Sequence, residues 1–167
     1  MELFDKKAKG NVARYVLQCS MATVTILIIL LFLNLFTQAS IIASLGATTF
    51  IVFAMPNSTT AQRRNLVGGY LVGIIIGILS NIVATLLISN FLTSTQNFIF
   101  ILFGSISVGI TILTMVITDT EHPPAVGMSL ALVLNSWNYK TILFVFCSVI
   151  LMSLVKRLLR SVLIDLT

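Results

Sequence analysis

Charge is missing from two long stretches of this chain: no Asp, Glu, Lys or Arg occurs from Tyr15 to Gln62, and none from Asn65 to Thr118. A helix rises about 1.5 Å per residue and needs about 20 residues to cross bilayer hydrocarbon. Each stretch is therefore too long for one crossing and suits two. With only 9% charged and 57% hydrophobic residues among 167, the chain lies far from soluble domains, which carry roughly 25% charge. That composition makes it an integral membrane protein, with no room for a soluble catalytic module.

Two shorter apolar stretches follow Pro123, separated by Asn135-Ser136-Trp137-Asn138-Tyr139-Lys140. The fold expected is an all-α membrane protein of about six helical segments: Val16 to Phe36, Ser40 to Met55, Leu66 to Ser89, Phe98 to Thr118, Pro123 to Leu134 and Thr141 to Val155. The second and fifth are short and carry breakers, Gly46 in one and Pro123-Pro124 opening the other. Tilted, partial or re-entrant geometry is tolerated there only if protein or a wet cavity covers the backbone. The apolar runs lack the alternation of a barrel strand. Aligning Gly46-Ala47 with Pro124-Ala125 also brings Asn57-Ser58 onto Asn135-Ser136. This pattern is open to two readings, inverted three-helix repeats or coincidence between hydrophobic strings.

Charge placement sets the orientation. With six crossings and a cytoplasmic N-terminus, Lys6, Lys7, Lys9, Arg14, Arg63, Arg64, Lys156, Arg157 and Arg160 fall inside and only Lys140 outside. Four crossings would put Arg63 and Arg64 outside. The expectation is a multi-pass cell-membrane protein with both termini cytoplasmic: a basic N-terminal segment over 1–14, a transmembrane domain over 15–157 and a short tail over 158–167. The basic excess then answers to topology and anionic lipid headgroups, not to nucleic acid. A cleavable leader ending at Thr37-Gln38-Ala39 is disfavoured, because the apolar run before it exceeds the usual 7 to 15 residues or so. Cys19 and Cys147 fall inside apolar spans, where packed free thiols are expected.

Three patterns carry chemistry. Gly69, Gly73 and Gly77 recur every fourth residue, followed at the same interval by Asn81, Thr85 and Ser89. Small residues so spaced let helix backbones approach, within one chain or between copies, so a homo-oligomer stays open; the polar continuation could instead line a groove. Ser107, Thr111, Thr114 and Thr118 share one face of the fourth segment. They either wall a solute path or bond back to their own helix. The densest stretch is Thr118-Asp119-Thr120-Glu121-His122-Pro123-Pro124-Ala125. Proline suits a helix's first turn, and the positive end of that helix attracts anions. His122 beside it could bind an anion, relay a proton with Asp119 and Glu121, or hold the loop.

Glu121-His122-Pro123-Pro124-Ala125, the block from Ser44-Leu45-Gly46-Ala47-Thr48-Thr49 to Pro56, and Ala61-Gln62-Arg63-Arg64-Asn65-Leu66-Val67-Gly68-Gly69-Tyr70 together resemble the HPP family of integral membrane proteins. The resemblance covers about Ser40 to Leu134. It implies a compact multi-helix membrane domain, and some plant and cyanobacterial relatives are regarded as nitrite transporters. This chain departs from the family's pattern at Leu45, where proline is common, at Tyr70, where histidine often follows Gly-Gly, and at Val126, where glycine is frequent.

The function expected from residues and resemblance is movement of a small solute, most of all a small inorganic anion such as nitrite. Arg63, Arg64 and Asn65 would meet His122, Thr48 and Thr49 at the positive end of the fifth segment. Alternatively, Arg63 or Arg64 pairs with Asp119 or Glu121 and locks two loops. No Asp or Glu lies within an assigned span, which disfavours a cation pump with a deep acidic site. One histidine with two carboxylates lacks the ligand set of a zinc site, and neither a phosphate-cradling loop nor a nucleophile elbow occurs. The expectation is thus no enzyme, metal or cofactor; the alternative to transport is a membrane scaffold or sensor.

Overall fold

The computed structural model describes residues 6–33, 39–88 and 93–166. Residues 1–5, Thr37-Gln38 of the cleavage-like tripeptide and Ser89 lie outside those ranges. Among the described residues there are six α-helices and no strand: α1 (Lys6–Leu33), α2 (Ala39–Ala54), α3 (Arg63–Ile88), α4 (Thr93–Thr118), α5 (Pro123–Leu134) and α6 (Tyr139–Leu158), with a 3-10 turn at Thr59–Ala61. Arg63–Ile88, Gln96–Thr118 and Tyr139–Leu158 are each long and apolar enough to cross a membrane, and shorter apolar helices cover Val12–Ile28, Ala39–Ala54 and Pro123–Leu134. Large apolar side chains such as Leu79, Leu86, Ile101, Leu113, Ile117 and Leu143 point outward, as a lipid-facing surface requires.

The short helix α5 sits at the centre, packed against α2, α3 and α4. Its Ala125, Met128, Ala131 and Leu132 join a core built from Ile41, Leu45 and Val52 of α2, Leu66 and Tyr70 of α3, and Val145, Val149 and Met152 of α6. Twelve residues reach only about 18 Å, well short of the roughly 30 Å hydrocarbon core. A helix ending inside such a bundle must have its unpaired end groups answered locally. At its start, Pro123 and Pro124 bring no N–H at all, and Ala125 N–H donates to the His122 carbonyl at 2.9 Å. At its finish, Asn81 Nδ2 donates to the Val133 carbonyl at 3.1 Å, and Asn135 donates to the Ala131 carbonyl through both its backbone N–H and its Nδ2.

Gly69, Gly73 and Gly77 of α3 lie along this same helix. A Cβ added at Gly69 would fall 2.6 Å from His122 Cβ, one at Gly77 would fall 2.8 Å from the Ser129 carbonyl oxygen, and one at Gly73 would overlap the Ala125 carbonyl. The glycine face is therefore occupied within the chain. Asn81, one turn on, serves as a cap for α5, while Thr85 is exposed.

The residues after α6 fold back onto the bundle. Gln18 of α1 is fully buried and clamps them, its Nε2 donating to the carbonyls of Phe53 and Ile164 at 2.8 Å each and its Oε1 accepting from Ile164 N–H at 3.2 Å. Leu166 N–H donates to Ala54 at 2.8 Å and Leu163 enters the core. Cys19 and Cys147, expected to be packed, are free but exposed on the outside of their helices. These contacts bring Arg63, Arg64, Lys156, Arg157 and Arg160 to one end of the bundle, with Lys140 at the other.

Gly73→Ala should cost about 2 to 3 kcal/mol, because backbone blocks the new methyl and one helix must shift. Thermal unfolding in detergent measures it, and a variant as stable as the parent would mean that α3 and α5 are farther apart than described.

Candidate functional site

The signature loops meet at the cation-bearing end. Asn65 Nδ2, almost fully buried in the first turn of α3, donates to the Glu121 carbonyl at 3.3 Å. Arg64 donates to the Thr118 carbonyl at 2.7 Å and pairs with Asp119 at 2.9 Å. Both partners of that ion pair are largely exposed, so it contributes under about 1 kcal/mol. It nevertheless commits Arg64 to holding the α4–α5 corner, where Asp119 adopts a left-handed backbone with φ of 52°. Among the described residues, the Glu121 side chain forms no ion pair.

Behind these loops lies a closed polar cluster between α2, α3 and α5. His122, Thr48 and Tyr70 are each fully buried, and Ser44 nearly so. The Tyr70 hydroxyl is 2.8 Å from both Ser44 Oγ and Thr48 Oγ1, and its ring centroid is 5.5 Å from that of His122. Ser44 donates to the Pro124 carbonyl at 2.6 Å. His122 Nδ1 faces the Thr60 carbonyl at 2.9 Å; since a carbonyl only accepts, Nδ1 carries the proton. Nε2 of the neutral ring then accepts from Thr48 Oγ1 at 3.0 Å. Thr48 has a second acceptor in reach, the Ser44 carbonyl at 3.0 Å, so a proton added at Nε2 would be answered by rotating one hydroxyl. Burial pushes the imidazole down to about 4, against a smaller upward pull from the Thr60 carbonyl.

This closed cluster changes the expected anion contact at the start of α5. His122, Pro124 and Ala125 are buried, two of the first three helical residues lack an N–H, and the third N–H is taken. That helix end therefore presents no free N–H from Pro123, Pro124 or Ala125 to an anion.

The covering loop is Pro56–Gln62. Its inner side supplies the Thr60 carbonyl to His122, while the neighbouring Ala61 carbonyl accepts from Lys156 Nζ. Its outer side, with Asn57, Ser58 and Gln62, borders a cleft of about 830 Å³ shared with Arg63, Val67, Ile150, Leu154, Lys156, Arg157 and Arg160. The one carboxylate of the adjoining segment, Asp165, accepts from the Asn57 backbone N–H and Nδ2 at 3.0 Å each. Among the described residues, Arg63, Arg157 and Arg160 form no ion pair. At the bundle's far end a smaller cleft of about 460 Å³ is lined by Asn81, Thr85, Asn135, Ser136 and Trp137 among others.

Other expected residues lie apart from the cluster. Thr49 is buried but donates to the Leu45 carbonyl and lies 3.8 Å from Met152 Sδ on the α6 side. Along α4, Ser107, Thr114 and Thr118 bond back to carbonyls three or four residues earlier, and Thr118 also meets Thr120 Oγ1 at 2.8 Å. Thr111 is buried, and its hydroxyl has no partner among the described residues. None of the four lines either cleft. Ser44 and Gln18 carry no sequence signal that marks them apart from their neighbours, and Tyr70 stands out only as a departure from the family's pattern; that departure is the hub of the buried cluster.

The family model for the transmembrane region of HPP proteins matches residues 7–165. No curated protein and no solved structure matches the chain.

Because His122 is neutral when folded and titrates near 6.5 when unfolded, its contribution is complete above about pH 6.5 and is lost as pH falls through about 4. The loss reaches roughly 3 kcal/mol. Unfolding in detergent from pH 7.5 to 4 should show a steeper fall for the parent than for His122→Gln, and equal slopes would contradict the buried neutral ring. Thr111→Val, which removes an unsatisfied hydroxyl at constant shape, should raise stability by about 1 kcal/mol. A lower melting temperature would show that this hydroxyl has a partner.

Proposed function

The chain belongs to the HPP transmembrane family, and on that footing we propose that it moves a small inorganic anion, such as nitrite, across the cell membrane with both termini cytoplasmic. The observation that carries this reading is the cationic cleft, separated by one short loop from an otherwise sealed polar cluster. Arg63, exposed and without an ion-pair partner among the described residues, draws the anion to the Pro56–Gln62 loop. Movement of its Thr60–Ala61 part breaks two hydrogen bonds to consecutive carbonyls, His122 Nδ1 to Thr60 and Lys156 Nζ to Ala61, while Asn57 at the other end stays bonded to Asp165. It uncovers the hydroxyls of Thr48, Ser44 and Tyr70 beside the positive end of α5, where they replace part of the anion's hydration shell. His122, with Asp119 and Glu121 at the rim, is the group through which a proton would couple to this opening.

Arg63 and Arg64 are adjacent in sequence but do different work, so their substitutions separate this reading from general loop damage. In sealed proteoliposomes, Arg63→Ala should lower nitrite flux about tenfold through loss of a charge-assisted contact. Arg64→Ala should act mainly on stability, within about 1 kcal/mol. No flux for nitrite or a panel of similar anions would leave a non-transporting scaffold or sensor as the better account.

A further inference from the structure

The cleft between α3 and α6 has the polarity gradient of an amphiphile. On α6, Ile150, Ser153, Leu154 and Arg157 follow at intervals of three, one and three, one stripe that passes from apolar to cationic over two turns. On α3 the opposite wall repeats the order in reverse chain direction, Val67 then Arg63. Lys156 and Arg160 complete the cationic rim. Ile150 and Leu154 are about half exposed on a membrane-length helix, so the apolar wall opens sideways to lipid and not to water.

Basic residues at helix ends commonly snorkel toward headgroups without forming a site. Three features go beyond that. The cations of α3, α6 and the returning segment surround one cavity of about 830 Å³. Arg63, Arg157 and Arg160 have no ion-pair partner among the described residues; the nearby Asp165 carboxylate, bonded to Asn57, acts on Lys156 and offsets only part of the cleft's positive charge. No acidic residue lies in the first turn of α3 to offset its positive end. The cavity is thus charged for an anion and walled for an acyl chain, a pairing that suits basic pockets between membrane helices to anionic lipids.

We propose that this cleft binds an anionic phospholipid, its phosphate held by Arg157, Arg160 and Lys156 and its acyl chain laid along Ile150, Leu154 and Val67. The headgroup would lie beside Arg63, so membrane composition sets how much positive charge a soluble anion meets. That consequence rests on the transport reading; the binding itself does not.

Thermal unfolding of the full-length protein in a neutral detergent tests it, with phosphatidylglycerol, phosphatidylcholine or inorganic phosphate added. Phosphatidylglycerol should raise the melting temperature by about 5 °C or more, as a saturating ligand of the folded state does. Arg157→Gln with Arg160→Gln should abolish the rise, whereas Lys140→Gln at the other end of the bundle should retain it. An equal rise with phosphatidylcholine overturns the proposal. So does a rise with inorganic phosphate that phosphatidylglycerol does not exceed, which would assign the site to a soluble phosphate. If the double variant does not fold, native mass spectrometry of the unaltered protein decides: retained phosphatidylglycerol in preference to phosphatidylcholine supports the site, and equal retention overturns it. None of these readouts depends on flux.

Discussion

The close approach of α3 to α5 is the contact on which the rest of the bundle depends. Lipid tails are as apolar as leucine, so helices in a bilayer gain little from hydrophobic burial against one another and rely on fitted packing. Three glycines on α3 let it lie directly against the α5 backbone, with Gly69 at His122, Gly73 at Ala125 and Gly77 at Ser129. Tyr70, next to Gly69, is thereby carried into the space between α3 and α2, where its hydroxyl meets Ser44 and Thr48. Displacing α5 by the width of one methyl group would loosen the buried cluster as well as the helix seam.

A helix too short to span the bilayer creates the second constraint, and the His-Pro-Pro sequence answers much of it. Each unsatisfied backbone group in hydrocarbon costs several kcal/mol. Two prolines remove two of the four orphan donors at the start of α5, and the His122 carbonyl takes a third. The histidine fills the remaining space with a ring whose two nitrogens meet partners on different elements, Thr60 and Thr48. This structural role is sufficient to explain the motif's chemistry at rest.

The sequence made the helices legible because one physical signal, the exclusion of charge, runs through the spans. Even so, α1, α3 and α4 begin several residues before their apolar cores, since backbone hydrogen bonding continues past the point where hydropathy fades. The glycine stripe could be read because its spacing fixes one helix face. What spacing could not supply was the partner on the other side. Ser107, Thr111, Thr114 and Thr118 form a polar stripe as regular as the glycines, yet three of these hydroxyls bond back to α4 itself. Thr48 and Thr49 are adjacent and chemically identical, but α2 turns one toward His122 and the other toward Met152. Gln18, an amide in a long apolar run, gave no local sign that it would clamp a segment 146 residues away.

The mobility that transport would require is best located in the Pro56–Gln62 loop. Shifting α3 against α5 would drag glycine-packed backbone across carbonyls with no room to spare, a barrier set by many contacts at once. The loop, by contrast, is held by a few bonds: at Thr60 and Ala61 by two consecutive carbonyls, one bonded to a neutral imidazole and one to Lys156, and at Asn57 by two bonds to Asp165. A neutral hydrogen bond contributes roughly 1 kcal/mol net, and one to a charged group about 1.5 to 3. Lys156 sits on the cleft side, so in the proposed transport reading an anion held there would compete for its charge and weaken the stronger of the two carbonyl ties. Occupancy of the cleft would then favour release of the Thr60–Ala61 cover over His122.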